Sequence, residues 1–113
     1  MSPSDEAKGL WILEKATKNG EDITKTFDRD KKHYLFIRWD HQFDRQNNAQ
    51  ERISGYWFVD SHQPQMTFIP EGRLIPEERW MIFIEGQKLT MKGTSDKITD
   101  LVLTYRRASE FPK

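Results

Sequence analysis

Residues 97–107 carry the clearest alternation in the chain. Leu101, Leu103 and Tyr105 share one parity, while Asp100, Thr104 and Arg106 share the other. A period of two, without glycine or proline, predicts a strand with one apolar face. Arg107 has the inward parity and stands at the strand's end. A second strand is predicted over residues 9–17, stopped by the turn pair Asn19-Gly20. Residues 23–30 are ambiguous, with Phe27 read as a plug residue on a short helical turn. Residues 33–40 read as a strand whose Tyr34-Leu35-Phe36-Ile37 centre is apolar on both faces. Residues 43–50 are polar and read as a connection with Asn47-Asn48 at its apex.

The third long strand is expected over residues 51–60, with Ile53, Trp57 and Val59 on one face. Residues 60–64 turn the chain, residues 65–69 bring Met66 and Phe68 to one side, and Pro70-Glu71-Gly72 breaks the strand. Residues 79–85 and 88–92 form a hairpin about Glu85-Gly86, and residues 93–96 make the last turn. Short connections favour an antiparallel meander. So many strands in so short a chain avoid free edges by closing into an up-and-down barrel of about seven or eight strands. The fold class is therefore all-β. Residues 9–108 are expected to form the barrel, residues 1–8 a disordered or weakly helical lead-in, and residues 109–113 a tail.

Composition narrows the function. At 113 residues the chain is one domain, with 35% hydrophobic and 32% charged residues, so its core is thin and depends on four Trp, seven Phe and three Tyr. Eighteen basic residues balance eighteen acidic ones, which removes any general electrostatic attraction to nucleic acid or anionic membranes. The lack of cysteine excludes disulfides and thiolate chemistry. No apolar run is long enough to span a membrane as a helix, and no leader is visible. A cytoplasmic location is expected if the sequence is complete, an extracytoplasmic one if a leader has been removed.

Three motifs in order carry a resemblance: Gly9-Leu10-Trp11, Gly55-Tyr56-Trp57 and the closing Leu103-Thr104-Tyr105-Arg106-Arg107. With the Asn-Gly turn between the first two, the chain resembles the compact bacterial lipocalin-like domains, barrels of the calycin type. The resemblance implies that Trp11 packs across one barrel end beneath a basic residue of the last strand, Arg107, or Arg106 if the register shifts by one. It also implies a ligand held inside the barrel. The chain is shorter than ordinary lipocalins and lacks their disulfide and flanking C-terminal helix.

Candidate chemistry follows from the parities. Phe36, Trp57, Met66, Phe68, Trp80, Ile82 and Tyr105 are expected to line the interior as ligand-binding residues. Arg38, on the parity of Phe36, would be a buried cation anchoring the carboxylate of a fatty-acid-like molecule. The alternative is a filled barrel with Arg38 at the rim, serving as a protein-interaction or structural module; Trp39 and Phe43 would give it an exposed apolar patch. His33, His62 and Asp60 are placed at one end of the barrel and His41 at the other. These are read as solvated turn residues, so no metal is expected, nor any cofactor. No nucleophile elbow, phosphate loop or His-x-x-x-His spacing is present, and the chain is read as non-enzymatic. A base-stacking surface on Tyr34, Phe36 and Trp39 is set aside for want of a basic stripe.

Overall fold

A computed structural model describes residues 3–48, 51–60, 62–72 and 76–110. The ends of the expected lead-in (residues 1 and 2) and tail (residues 111–113), and residues 49 and 50 at the end of the expected polar connection, lie outside them. The described chain runs α1 (Pro3–Ala7), β1 (Gly9–Lys18), β2 (Glu21–Asp22), α2 (Thr24–Phe27), β3 (Tyr34–Ile37), β4 (Gln42–Asn48), β5 (Glu51–Val59), β6 (Gln65–Pro70), β7 (Glu78–Glu85), β8 (Lys88–Gly93), a 3-10 turn (Asp96–Ile98) and β9 (Leu101–Ala108).

The strands pair antiparallel in the order β1-β3-β4-β5-β6-β7-β8-β9, and β9 returns to β1. Eight strands thus form a closed barrel, with β2 as a short flap on the far part of β1. Closure is made by an extended register in which Leu10 faces Ala108, Trp11 faces Arg107 and Lys18 faces Leu101. A bulge between Leu13 and Lys15 interrupts it. Strict alternation after Leu13 would turn Lys15 inward. The extra residue brings Ala16 into the core instead and leaves Lys15 exposed.

Three expectations change here. Residues 43–50 are largely a strand, β4, rather than a polar connection. Its one inward apolar residue is Phe43, and the next inward position is Arg45, so the alternation is hidden behind a charge. In β3 the inward pair is Leu35 and Ile37, both fully buried, whereas Phe36 is half-buried on the outer surface. The expected inward parity of Phe36 and Arg38 is therefore reversed. The last strand is also shorter than expected: it begins at Leu101, after the 3-10 turn and an Asp100 held at φ 69.

One barrel end is plugged. α1 lies against β5 and β7, Ala7 is fully buried, and the Trp11 Nε1 proton is donated to the Ala7 carbonyl at 2.8 Å. Arg107 stacks its guanidinium 4.2 Å from the centre of the Trp11 ring and donates to the carbonyls of Glu6 and Lys8. Gly9 adopts φ +128, and a Cβ there would lie 2.8 Å from the Arg107 Nη1. The middle of the barrel is solid. Trp57, Phe43, Phe68, Met66, Leu89 and Met91 are buried, and Phe43 meets Phe68 edge-on at 4.7 Å. At Gly55 the β6 backbone approaches so closely that a Cβ would strike the Ile69 carbonyl oxygen.

Candidate functional site

The end opposite α1 is built differently. The 3-10 turn, α2 and the start of β3 surround a cavity of ≈ 300 Å³, with apolar walls from Phe27, Trp80, Ile98, Leu101 and Leu103. Its polar groups are His33, Arg45, Asn47, Glu51 and Glu78. Arg45 reaches it because Phe43 fixes the inward parity of β4, two residues earlier. Glu78 reaches it because Trp80 does the same on β7.

Arg45 and Glu78 form a fork-to-fork ion pair across the barrel, Nη1 to Oε1 and Nη2 to Oε2, both at 2.8 Å. Trp80 Nε1 donates to Glu78 Oε1 at 3.0 Å. Burial alone would push the Glu78 carboxyl up, but the hydrogen bonds and charge of Arg45 hold it below its ordinary value. Burial likewise opposes the Arg45 charge, and Glu78 more than offsets it. The next layer is His33, 1% exposed, with Nε2 2.8 Å from the Tyr105 hydroxyl. The Phe27 ring leans on the His33 ring, centroid to centroid 5.3 Å. Burial presses His33 from its ordinary 6.5 down to about 3, the charge of Arg45 adds to this, and the Asn47 backbone and Glu78 only partly oppose it.

Two buried nitrogens, His33 Nδ1 and Arg45 Nε, form no hydrogen bond among the described residues. Both belong to residues that line this cavity. A larger outer groove of ≈ 820 Å³ runs between β1, α2 and the end of β9, walled mainly by Glu14, Lys25, Asp28, Lys31, Arg106 and Glu110. Neither unpaired nitrogen belongs to its lining, so the barrel mouth is the better candidate.

The acid response of the fold follows from His33. Between pH 6.5 and about 3 the unfolded chain takes up a proton that the folded chain refuses. Stability is therefore expected to fall as pH drops through that window, by up to about 1.4 kcal/mol per pH unit. Glu78 acts in the same direction, since its depressed value stabilises the fold above its unfolded value and that contribution is lost as pH falls through the folded one. Urea unfolding from pH 7 to pH 4 measures the slope. His33→Gln should flatten it, and an unchanged slope would place the acid sensitivity elsewhere.

Of the residues expected to bind a ligand, Trp80 lines the mouth and Tyr105 lies behind His33. Trp57, Met66, Phe68 and Ile82 belong to the packed interior. Phe36 faces outward and meets Trp39 edge-on at 6.4 Å. Arg38 lies on the outer surface, paired with Asp40 at 2.8 Å and Asp44 at 3.7 Å, and the buried cation is Arg45 instead. Phe43 is fully buried and forms no patch with Trp39, which is 66% exposed. The additional strand β4 also reverses the expected histidine placement: His41 and His62 share the plugged end, and His33 lies at the mouth. Among the described residues no three His, Asp or Glu side chains gather to hold a metal, and no helix is long and apolar enough to cross a membrane.

Comparison with known proteins adds to the fold. A DUF4847 family protein from Bacteroides vulgatus ATCC 8482, known from a crystal structure, is similar to this chain with a TM-score of 0.61 over 92% of this chain and 95% of that one, at 11% identity. At that identity the likeness shows the fold alone, a closed barrel of uncharacterised function. No family model matches the sequence, and no curated protein matches it.

Sequence reasoning missed Arg45 and Glu78, and took His33 for a solvated turn residue, whereas it is 1% exposed. A signal existed for the first two. Each shares parity with an aromatic two residues away, Phe43 or Trp80, and the two carry opposite charges.

Proposed function

We propose that this protein is a non-enzymatic, lipocalin-like carrier that takes a small amphipathic ligand at the open mouth of its barrel. The observation that carries this reading is the mouth itself: an apolar-walled cavity of ≈ 300 Å³ with two buried polar nitrogens that form no hydrogen bond among the described residues. Buried polar groups are rarely left so, and such atoms in a concave apolar site favour a ligand. The stacked Trp11 and Arg107 at the plugged end support the lipocalin-like reading. Catalysis has no comparable support. Glu78 is occupied by Arg45 and Trp80, and the neutral His33 by Tyr105.

The test is a titration with the neutral fluorescent probe N-phenyl-1-naphthylamine. Saturable enhancement is expected, weakened at least tenfold by Leu101→Glu at the half-buried rim. No uptake by the folded protein would end this reading.

A second reading, a protein-interaction module, draws on the outer surface. Tyr56 and Ile69 stand directly opposite each other on β5 and β6, and both are exposed along with Phe58. Concentration-dependent self-association or a partner lost on Tyr56→Ser would favour it.

A further inference from the structure

Given that the mouth is a ligand site, a reading on which this inference rests, its lining dictates the chemistry of the occupant. The fully buried Tyr105 hydroxyl has His33 Nε2 within 2.8 Å. A hydroxyl proton in such surroundings needs an acceptor, and the imidazole nitrogen supplies it. Tyr105 therefore donates and Nε2 accepts. The neutral ring must then carry its own proton on Nδ1, which makes the unpaired nitrogen a donor. Arg45 commits Nη1 and Nη2 to Glu78 and keeps the Nε proton. Both groups are donors; the Asn47 backbone carbonyl lies towards the His33 ring without completing a hydrogen bond to Nδ1, so an occupant that offers an acceptor oxygen satisfies what the protein leaves unmet.

Charge decides which kind of oxygen. Arg45 is already neutralised by Glu78, and Glu51 at the rim holds Asn47 at 3.2 Å. The lining thus has one positive side chain against two negative ones. Asp28, whose carboxylate accepts from the His33 backbone N–H, adds a third negative charge close behind. A carboxylate would lose its water and meet like charge, whereas an uncharged carbonyl would do neither. The volume sets the size. A cavity of roughly 150 Å³ accepts a benzene ring, so ≈ 300 Å³ buries about a dozen heavy atoms, and the rest of a larger molecule such as the naphthylamine probe projects from the open mouth.

We propose that the barrel mouth selects a small uncharged amphiphile with a carbonyl head (amide, ester or ketone) over the carboxylate of the same shape. The carbonyl oxygen accepts from His33 Nδ1 and Arg45 Nε, and the apolar body lies against Trp80, Ile98, Leu101 and Leu103. The two nitrogens are closed to solvent, so the head enters as the Phe27 ring turns aside. Phe27 sits on a four-residue helix with no fully buried residue and is only partly buried against the core, so its ring can turn without unpacking the barrel.

The test compares 4-phenylbutanamide with 4-phenylbutanoate by calorimetry on the intact protein at pH 7. The amide is expected to bind at least about tenfold tighter, the worth of one or two hydrogen bonds. Equal or tighter binding of the carboxylate overturns this inference and leaves the ligand-binding reading standing. If the naphthylamine probe binds and neither phenylbutyl compound does, the inference also falls. Failure of all three sinks both readings. Imidazole nitrogen NMR gives an independent check without any variant. A proton on His33 Nδ1, with a resonance that moves when the amide is added, supports the proposal. A proton on Nε2, or an Nδ1 resonance that ignores the amide, overturns it.

Discussion

Glu78→Gln is expected to destabilise the protein by about 3–5 kcal/mol, the cost of leaving one member of a buried ion pair without its partner. Arg45 is 7% exposed and Glu78 is its one hydrogen-bonded carboxylate among the described residues, Glu51 acting on it only through space. The substitution keeps the size of the side chain, so the loss reports charge rather than packing. Since folded domains are held by only about 5–15 kcal/mol, the variant would stand close to unfolding at neutral pH. Chemical denaturation measures it. The double variant Arg45→Met with Glu78→Leu should recover most of the loss, because apolar residues of similar volume replace buried pairs at little cost. A Glu78→Gln loss below ~1 kcal/mol would mean that the pair is solvated and the mouth is wetter than its geometry implies.

The second large effect lies at the other end. Trp11→Ala should cost about 3–5 kcal/mol, as deletion of a buried aromatic does. Trp11 is fully buried, holds α1 through Ala7 and supports the Arg107 guanidinium on its face. Its loss therefore removes packing and leaves Arg107 without its ring. The matching substitution Arg107→Met should cost less, about 0.5–2 kcal/mol for the cation–ring contact with a further loss from its bonds to Glu6 and Lys8. Near-equal losses in the two variants would show that the charged contacts, rather than the indole, hold this end shut.

How far the sequence could be read depends on where side chains alternate cleanly. The joining of the first and last strands was legible because Leu103 and Tyr105 on β9, and Trp11 and Leu13 on β1, each keep a period of two. β3 was recognisable as a strand, but its facing was not, since Tyr34, Leu35, Phe36 and Ile37 are apolar on both sides. Only the barrel's closure decides that Leu35 goes in. β4 was hidden because its inward row runs from Phe43 to Arg45, and a buried charge breaks the rule that apolar residues mark the core. Missing that strand also put His62 at the same end as His33, whereas the two lie at opposite ends. The mouth depends on the partner that Arg45 finds 33 positions away in sequence, which local pattern does not supply. The interior residues Trp57, Met66, Phe68 and Ile82 were read with the correct facing, and they belong to one buried apolar cluster away from the mouth.

A barrel that is shut and solid towards Trp11 should be receptive only at the Arg45–Glu78 mouth. Methyl NMR during a titration with N-phenyl-1-naphthylamine separates the two ends in one experiment. Shifts are expected at Ile98, Leu101 and Leu103, with Leu35, Ile37 and Leu89 unmoved. Shifts centred on Ile69 of the outer surface, or spread through the packed interior, would refute a receptive mouth above a closed core.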